Sequence, residues 1–270
     1  MIPANVPLVM GVVNVTPDSF SDGGRFIDAG AAIAHARRLI AEGADILDIG
    51  GESTRPGADP VSEADEIARV VPVIAAIRAG SAVRISIDTS KPAAARAAVA
   101  AGADIWNDVT ALSAPGALDV AAELGCEVML MHMQGEPRTM QQAPIYDDVV
   151  GEVAALLTIR AEAAIAAGVA RAKVWLDPGI GFGKRLEHNL DLLRHLDRIA
   201  ALGFPVVLGV SRKRFIRAVD ATAEAADDRL GGSLAAALWG AARGVAAIRV
   251  HDVRETVQAL KVWRAIQQEG

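Results

Sequence analysis

Several polar side chains in this sequence each close a short apolar run. Asp88 follows Ile85-Ser86-Ile87, Asn107 follows Ile105-Trp106, and Asp177 follows Val174-Trp175-Leu176. Lys213 sits in the triplet Ser211-Arg212-Lys213 behind a further apolar run. A carboxylate accepts two parallel N–H bonds from an amidine-like edge, and an ammonium can address a ring carbonyl and ring nitrogen on the opposite side. Three acceptors facing one cation therefore suit a flat heterocycle, and the polar pattern is that of a pterin. Each residue alone has a plainer reading. An Asp or Asn leaving a strand caps the next helix by accepting a free backbone N–H. For Asp88 this stays open, because Ser90 can act as the cap and Pro92 as an early helical residue.

A second group suits an anion. Side chains repeat every two residues along a strand, so Arg249-Val250-His251 puts two potentially cationic groups on one face. The alternative for Arg249 is an ion pair with a neighbour such as Asp252. Asn14 offers a neutral oxygen of the kind that Mg²⁺ accepts alongside phosphate oxygens and its own waters. The run Asp177-Pro178-Gly179-Ile180-Gly181-Phe182-Gly183-Lys184 is not a nucleotide phosphate loop, since Pro178 and Arg185 stand where that loop requires Gly and Ser or Thr. Its glycines allow close backbone approach to a ligand, and Phe182 offers a stacking face.

These residues need a scaffold that brings strand ends together. Apolar runs closed by polar or Gly residues predict eight strands, at Leu8 to Val13, Asp45 to Ile49, Val83 to Ile87, Asp104 to Trp106, Glu127 to Met131, Val174 to Leu176, Val206 to Val210 and Ala247 to Val250. Helical periods fall between them, at Ala31 to Ala41, Ser62 to Arg78, Lys91 to Ala101, Tyr146 to Ala167, Glu187 to Ala201, Arg229 to Arg243 and Val253 to Ile266. Two joints share one form, Glu42-Gly43-Ala44-Asp45 and Ala101-Gly102-Ala103-Asp104, in which Gly supplies the left-handed helix end. At about 34 residues per βα unit, eight units fill the 270 residues as a single (β/α)₈ TIM-barrel domain. A doubly wound open sheet would want a glycine-rich loop after the first strand, where Asn14-Val15-Thr16-Pro17 stands instead. In such a barrel, chemistry collects at the C-terminal strand ends, and loops seven and eight are the frequent phosphate site.

Composition narrows the partners. With 27 basic against 33 acidic residues the net charge is -6, and no basic run is dense enough to follow a nucleic-acid backbone, so an anionic ligand must meet a local cation cluster. No stretch reaches the roughly 18 apolar residues of a membrane span, and the opening residues do not form a signal segment. A single cysteine, Cys126, cannot form an internal disulfide and reads as a small buried hydrophobe, which fits a reducing cytoplasm. Trp239 and Trp263 suit either core or interface, with core the plainer reading.

The stretches Gly11 to Gly24, Asp48 to Gly57, Leu176 to Lys184 and Ser211-Arg212-Lys213 resemble the signature segments of the dihydropteroate synthase family, and the likeness runs from the first strand to His251. The resemblance implies a (β/α)₈ barrel, usually a homodimer, that condenses 6-hydroxymethyl-7,8-dihydropterin diphosphate with 4-aminobenzoate to give 7,8-dihydropteroate and diphosphate in folate biosynthesis, and that sulfonamides target. It implies that Asp88, Asn107, Asp177 and Lys213 hold the pterin with Met131 packed against it. Asn14, Arg249 and His251 would serve the diphosphate and Mg²⁺. Thr54, Pro56, Phe182, Lys213 and Phe20 would form the aminobenzoate pocket, and Arg55 would help the diphosphate or shape the amine site; Arg214 follows the triplet without an assigned role. The loops at 16 to 30 and 50 to 60 would close over the site. Asp88, Lys213, Asp177, Arg249 and His251 are the residues expected to carry catalysis. A methyltetrahydrofolate methyltransferase-type barrel would share Asp88, Asn107 and Asp177 but would need neither the diphosphate cluster nor the Ser-Arg-Lys triplet. A pterin-binding paralogue without turnover would keep the barrel alone.

Overall fold

A computed structural model describes residues 6–16, 29–53, 59–135 and 139–267. Eight parallel strands, β1 (Leu8–Asn14), β2 (Ile46–Gly50), β3 (Arg84–Asp88), β4 (Ile105–Asp108), β5 (Glu127–Met131), β6 (Val174–Asp177), β7 (Val207–Gly209) and β8 (Ala247–Val250), form one sheet in the order β6-β5-β4-β3-β2-β1-β8-β7. A parallel bridge between Leu176 and Val206 joins the two outer strands and brings the sheet round into the expected barrel. Helices alternate with the strands: α1 (Ala29–Glu42), α2 (Glu63–Arg78), α3 (Pro92–Ala100), α4 (Ala117–Leu124), α5 (Val149–Ala167), α6 (Leu186–Arg194), α7 (Leu196–Ala200), α8 (Arg214–Val219), α9 (Leu230–Ala241) and α10 (Val253–Gln267).

All eight expected strands are present, with one systematic difference. β1, β2, β3, β4 and β6 run one or two residues further, so Asn14, Gly50, Asp88, Asn107 and Asp177 are ladder residues rather than loop residues. The helix expected over Glu187 to Ala201 breaks at His195 into α6 and α7, α4 fills the βα unit between β4 and β5, and the short α8 precedes α9 between β7 and β8. Trp239 is 43% exposed, contrary to the core reading, because its indole lies on the barrel's outer surface, donating to the Leu193 carbonyl at 2.6 Å with Arg243 over the ring. Trp263 packs partly buried against the core, and Cys126 is buried, with burial pushing its thiol up.

The repeated Gly-Ala-Asp joint is a built turn. Gly43 (φ +102°) and Gly102 (φ +114°) take left-handed conformations that a side chain would strain. The next residues reach back alike, Ala44 N to Leu39 O and Ala103 N to Ala98 O, both 3.0 Å. Asp45 and Asp104 then accept from the backbone N–H groups of Val9 and Ile85, each at 2.8 Å. The Asp in each joint thus secures the start of the neighbouring strand.

The outer core places apolar strand faces against alanine-rich helices. Ala32 and Ala36 of α1, Ala95 and Ala98 of α3 and Ala161 and Ala164 of α5 are fully buried, and their small size lets the helices approach the sheet closely. Inside the barrel a separate layer of Met10, Ile46, Ile105, Met129, Trp175, Val207 and Ala247 fills the interior. Below it, Glu127 accepts from Arg84 at 2.7 Å and from the Trp175 indole at 2.6 Å. The interior is thus packed, and space for a ligand is left at the C-terminal mouth.

Candidate active site

The register explains which residues meet at the mouth. Asn14 pairs with Gly50, Gly50 with Asp88, Asp88 with Asn107, Met131 with Asp177 and Gly209 with Arg249. Alternate side chains on each strand face inward, so the pairing carries one ring of polar groups around the rim. Glycine opens the space between them. A methyl group placed on Gly209 would lie 3.5 Å from Lys213 Nζ, 3.8 Å from Asp177 Oδ2 and 4.0 Å from Arg249 Cβ, so these three side chains converge within reach of a single ligand group.

Asp88 is the most unusual member. It is 9% exposed, and its Oδ2 accepts from Arg249 Nη2 at 2.9 Å, while Oδ1 is buried with no hydrogen-bond partner among the described residues. An orphaned carboxylate oxygen is costly inside a protein and points to a donor that a ligand supplies. Burial, then the charge of Asp48, pushes the Asp88 carboxyl up to about 7 against the pull of Arg249. Asp177, 6% exposed, is also raised by burial, and its Oδ1 accepts from Gly179 N at 2.7 Å. Asn107 and Met131 are buried beside them.

Lys213 comes in from the β7 side. Its ammonium donates to the Ile180 carbonyl and lies 4.6 Å from the centre of the Phe182 ring, a cation–π arrangement. Burial lowers its pKa to about 8 despite the attraction of Asp177. The rest of the triplet positions this residue. Ser211 Oγ lies 3.0 Å from His251 Nδ1 and accepts from the His251 backbone N–H at 3.1 Å. Arg212, at φ +59°, donates to both oxygens of Asp252 at 3.0 and 2.5 Å and to Asp227. The partner considered for Arg249 therefore belongs to Arg212. Arg249 turns inward instead, donating Nε to Asp48 at 2.6 Å and Nη2 to Asp88. Burial opposes its charge, but Asp48 and Asp88 outweigh that and keep the guanidinium protonated.

The structure thus brings together Asp88, Asn107, Met131, Asp177, Lys213, Phe182, Arg249, His251 and Asn14 at one mouth. Arg214 opens α8 and is exposed. Phe20, Thr54, Arg55 and Pro56, and most of the two loops expected to close, lie outside the described residues.

Two buried groups were not singled out from the sequence. Asp48 is fully buried in β2; an acidic residue inside an apolar strand was the available signal. Lys184, 3% exposed, closes the β6 loop: its Nζ lies 2.9 Å from each of the Gly179 and Phe182 carbonyls and from His132 Nδ1. Burial drives Lys184 well below its ordinary value, and burial followed by Lys184 lowers His132 to about 3, so the imidazole is neutral. Tyr146 donates to the Gly183 carbonyl at 2.8 Å, and Asn189 accepts from Gly181 N at 2.6 Å, so the loop carrying Phe182 is pinned along its length.

These shifts fix an expected pH profile. With Asp88 acting as a carboxylate acceptor and Lys213 as an ammonium donor, activity is expected to fall as pH drops below about 7 and as it climbs past about 8. A plot of kcat/KM against pH, which reports groups of the free protein, is expected to be a narrow bell between those limits. A flat profile from pH 6 to 9 would show that neither ionisation governs binding.

The pterin binding enzyme family matches residues 10–251. The chain is 53% identical to the dihydropteroate synthase of Neisseria meningitidis serogroup B over 266 residues, covering 96% of this chain and 93% of that protein. Among solved structures, the Xanthomonas albilineans dihydropteroate synthase with 4-aminobenzoic acid superposes with a TM-score of 0.93 at 52% identity, covering 99% of this chain and 95% of that one. The same organism's enzyme in complex with 7,8-dihydropteroate gives 0.90 at 49% identity, covering 100% and 97%. Fold, strand-end acceptors, cation cluster and near full-length identity agree, and the chain belongs to the dihydropteroate synthase family of pterin binding enzymes.

Proposed function

We propose that the mouth of this barrel joins 6-hydroxymethyl-7,8-dihydropterin diphosphate to 4-aminobenzoate, releasing diphosphate and 7,8-dihydropteroate, with the residues in the roles below. The observation that carries the reading is the ring of Asp88, Asn107 and Asp177 around Lys213 and Arg249, with Asp88 Oδ1 buried and unsatisfied. Asp88 and Asp177 accept from the amidine-like edge and ring nitrogens, Asn107 adds its amide, Lys213 addresses the ring carbonyl and Met131 packs on the ring. Phe182 and Lys213 border the amine site, where the loops bearing Phe20, Thr54, Arg55 and Pro56 complete the enclosure. Arg249 and His251 receive the diphosphate.

Among the described residues no group of three or more His, Cys, Asp and Glu is arranged to hold a metal. What the end of β1 offers is the neutral side-chain oxygen of Asn14, which pairs in the ladder with Gly50. That donor fits Mg²⁺, which keeps most of its waters and takes its other oxygens from a diphosphate. Asn14 would hold it, and when bound the ion supplies charge neutralisation on the leaving group.

The reaction is a dissociative substitution at the methylene carbon of the pterin. The carbon–oxygen bond breaks with its electron pair passing to diphosphate, where Arg249 and His251 stabilise the growing negative charge. The electron-rich dihydropterin delocalises the positive charge, and the buried carboxylates Asp88 and Asp177 favour it electrostatically. The amine lone pair then forms the carbon–nitrogen bond, and the amine proton leaves to diphosphate or water. No protein nucleophile takes part.

The chain acts as a homodimer in this reading. Helices α9 and α10 pack on one another and leave Trp239, Val262 and Ile266 exposed, and sedimentation velocity tests the assignment. The lone buried cysteine supports a cytoplasmic setting, checked by cell fractionation; no helix among the described residues is long and apolar enough to cross a membrane.

The test is pyrophosphate release with dihydropteroate followed by chromatography. Product that requires 4-aminobenzoate, disappears with EDTA and is inhibited competitively by a sulfonamide is the expected result. Pterin binding without product would assign the chain to a non-catalytic paralogue.

A further inference from the structure

Asp48 is wholly buried in β2 and takes no part in the steps above. Its Oδ2 accepts from Arg249 Nε at 2.6 Å, and both its oxygens lie 3.4 Å from the amide nitrogen of Asn107. One carboxylate therefore touches the side chain assigned to the diphosphate and one of those assigned to the pterin. Burying a carboxylate costs free energy that an apolar residue would not, and its neighbours on the strand, Leu47 and Ile49, are apolar. The placement is explained by what it orients. A guanidinium fixed at Nε has its plane set, while its two terminal nitrogens keep their directions for other partners. Without ligand, Nη2 rests on Asp88 Oδ2.

We propose that Asp48 is a positioning residue for this reaction, tethering Arg249 through Nε and steadying Asn107 so that the diphosphate cation and the pterin acceptors form one aligned unit. Without the tether, Arg249 is drawn wholly onto Asp88, covering the pterin acceptor and leaving the diphosphate site. The inference rests on the assignment of Arg249 to the diphosphate, and the experiment separates the two.

Binding of inorganic pyrophosphate with Mg²⁺ is measured by calorimetry on the purified full chain and on Asp48→Asn, Arg249→Gln and the double variant, alongside steady-state KM values for both substrates. The expected result is that D48N weakens pyrophosphate binding about tenfold, a size usual for side chains in one network. D48N also raises KM for the pterin substrate, leaves KM for 4-aminobenzoate unchanged, and adds no further loss in the R249Q background. Equal losses in both backgrounds, or no loss in either, would overturn the tether. Intact pyrophosphate binding in R249Q would instead overturn the role given to Arg249. Should D48N fail to fold, Asp48→Glu, which keeps the charge but displaces it by one methylene, takes its place in the same comparisons with the same readings.

Discussion

Replacing Asp88 with Asn lowers kcat/KM for the pterin substrate by roughly a hundredfold or more while leaving the folded protein at least as stable at pH 8. The loss follows from the chemistry of the edge that Asp88 meets. A carboxylate offers acceptor oxygens alone, whereas an amide presents one oxygen and one NH₂, which faces a ligand N–H donor to donor. Removing one preorganised group aimed at developing charge costs about 10²–10³ in rate. The stability half follows from linkage. Asp88 is raised to about 7, so the folded state holds its proton more tightly than the unfolded chain. The stability this contributes is present at low pH and lost as pH rises through about 7. At pH 8 the ionised carboxylate has a buried unsatisfied oxygen and the Asp48 charge close by, and Asn relieves both. Arg249 keeps its bond to Asp48. Thermal melts at pH 5 and pH 8 with steady-state kinetics check the pair of effects. A variant that turns over normally, or that melts several degrees lower at pH 8, would remove Asp88 from the pterin site. Strain retained at a site for the sake of a ligand is how the two effects come to oppose one another.

The fold was legible because each strand is a short apolar run followed by punctuation, and because the Gly-Ala-Asp joint repeats. The limit appears at the strand ends. Reading a strand as an apolar run stops it before Asn14, Asp88, Asn107 and Asp177, yet these residues pair in the ladder. Hydrophobicity follows burial, and at the barrel mouth the backbone remains paired while the side chain lies beyond the packed apolar layer. The residues that break the strand pattern are therefore the ones proposed to meet the substrates. Asp48 is illegible for the converse reason, since a single acidic residue in an apolar run carries no sign of its partner 201 positions away at Arg249. The neighbour considered for Arg249, Asp252, is committed to Arg212 instead. Adjacency in sequence does not choose between cations on neighbouring strand ends. Lys184 was seen as the end of a glycine-rich run, but its burial depends on His132 from the neighbouring strand, which no spacing rule supplies.

Gly179→Ala is expected to cost about 2–5 kcal/mol of stability, the sum of left-handed strain and overpacking, and to abolish most turnover. Gly179 has φ +66°, and a β-carbon there would stand 1.9 Å from the His132 carbonyl oxygen and 3.0 Å from its carbon. Neither side of that contact can give way cheaply. His132 N donates to Asp177 O at 3.0 Å at the end of β5, and Gly179 N is held by the Asp177 carboxylate. Relief must come from moving the loop, which carries the Ile180 carbonyl under Lys213 and the Phe182 ring beside it. Lys184, whose ammonium holds the Gly179 and Phe182 carbonyls, would lose partners while still buried. Gly116→Ala is the control. It has a similar φ of +74°, yet a β-carbon there meets nothing within 4 Å, so the variant shows left-handed strain alone, about 1–2 kcal/mol. Melting temperatures and sulfonamide affinity measured on both variants separate the causes. G116A should bind the inhibitor like the unaltered protein, and G179A should bind it at least tenfold more weakly, with a melting temperature lower by on the order of 10 °C. If the two variants lose equal stability and both keep the inhibitor, the clash at His132 is absorbed locally and the β6 loop does not depend on Gly179 to hold Phe182 and Lys213 in register.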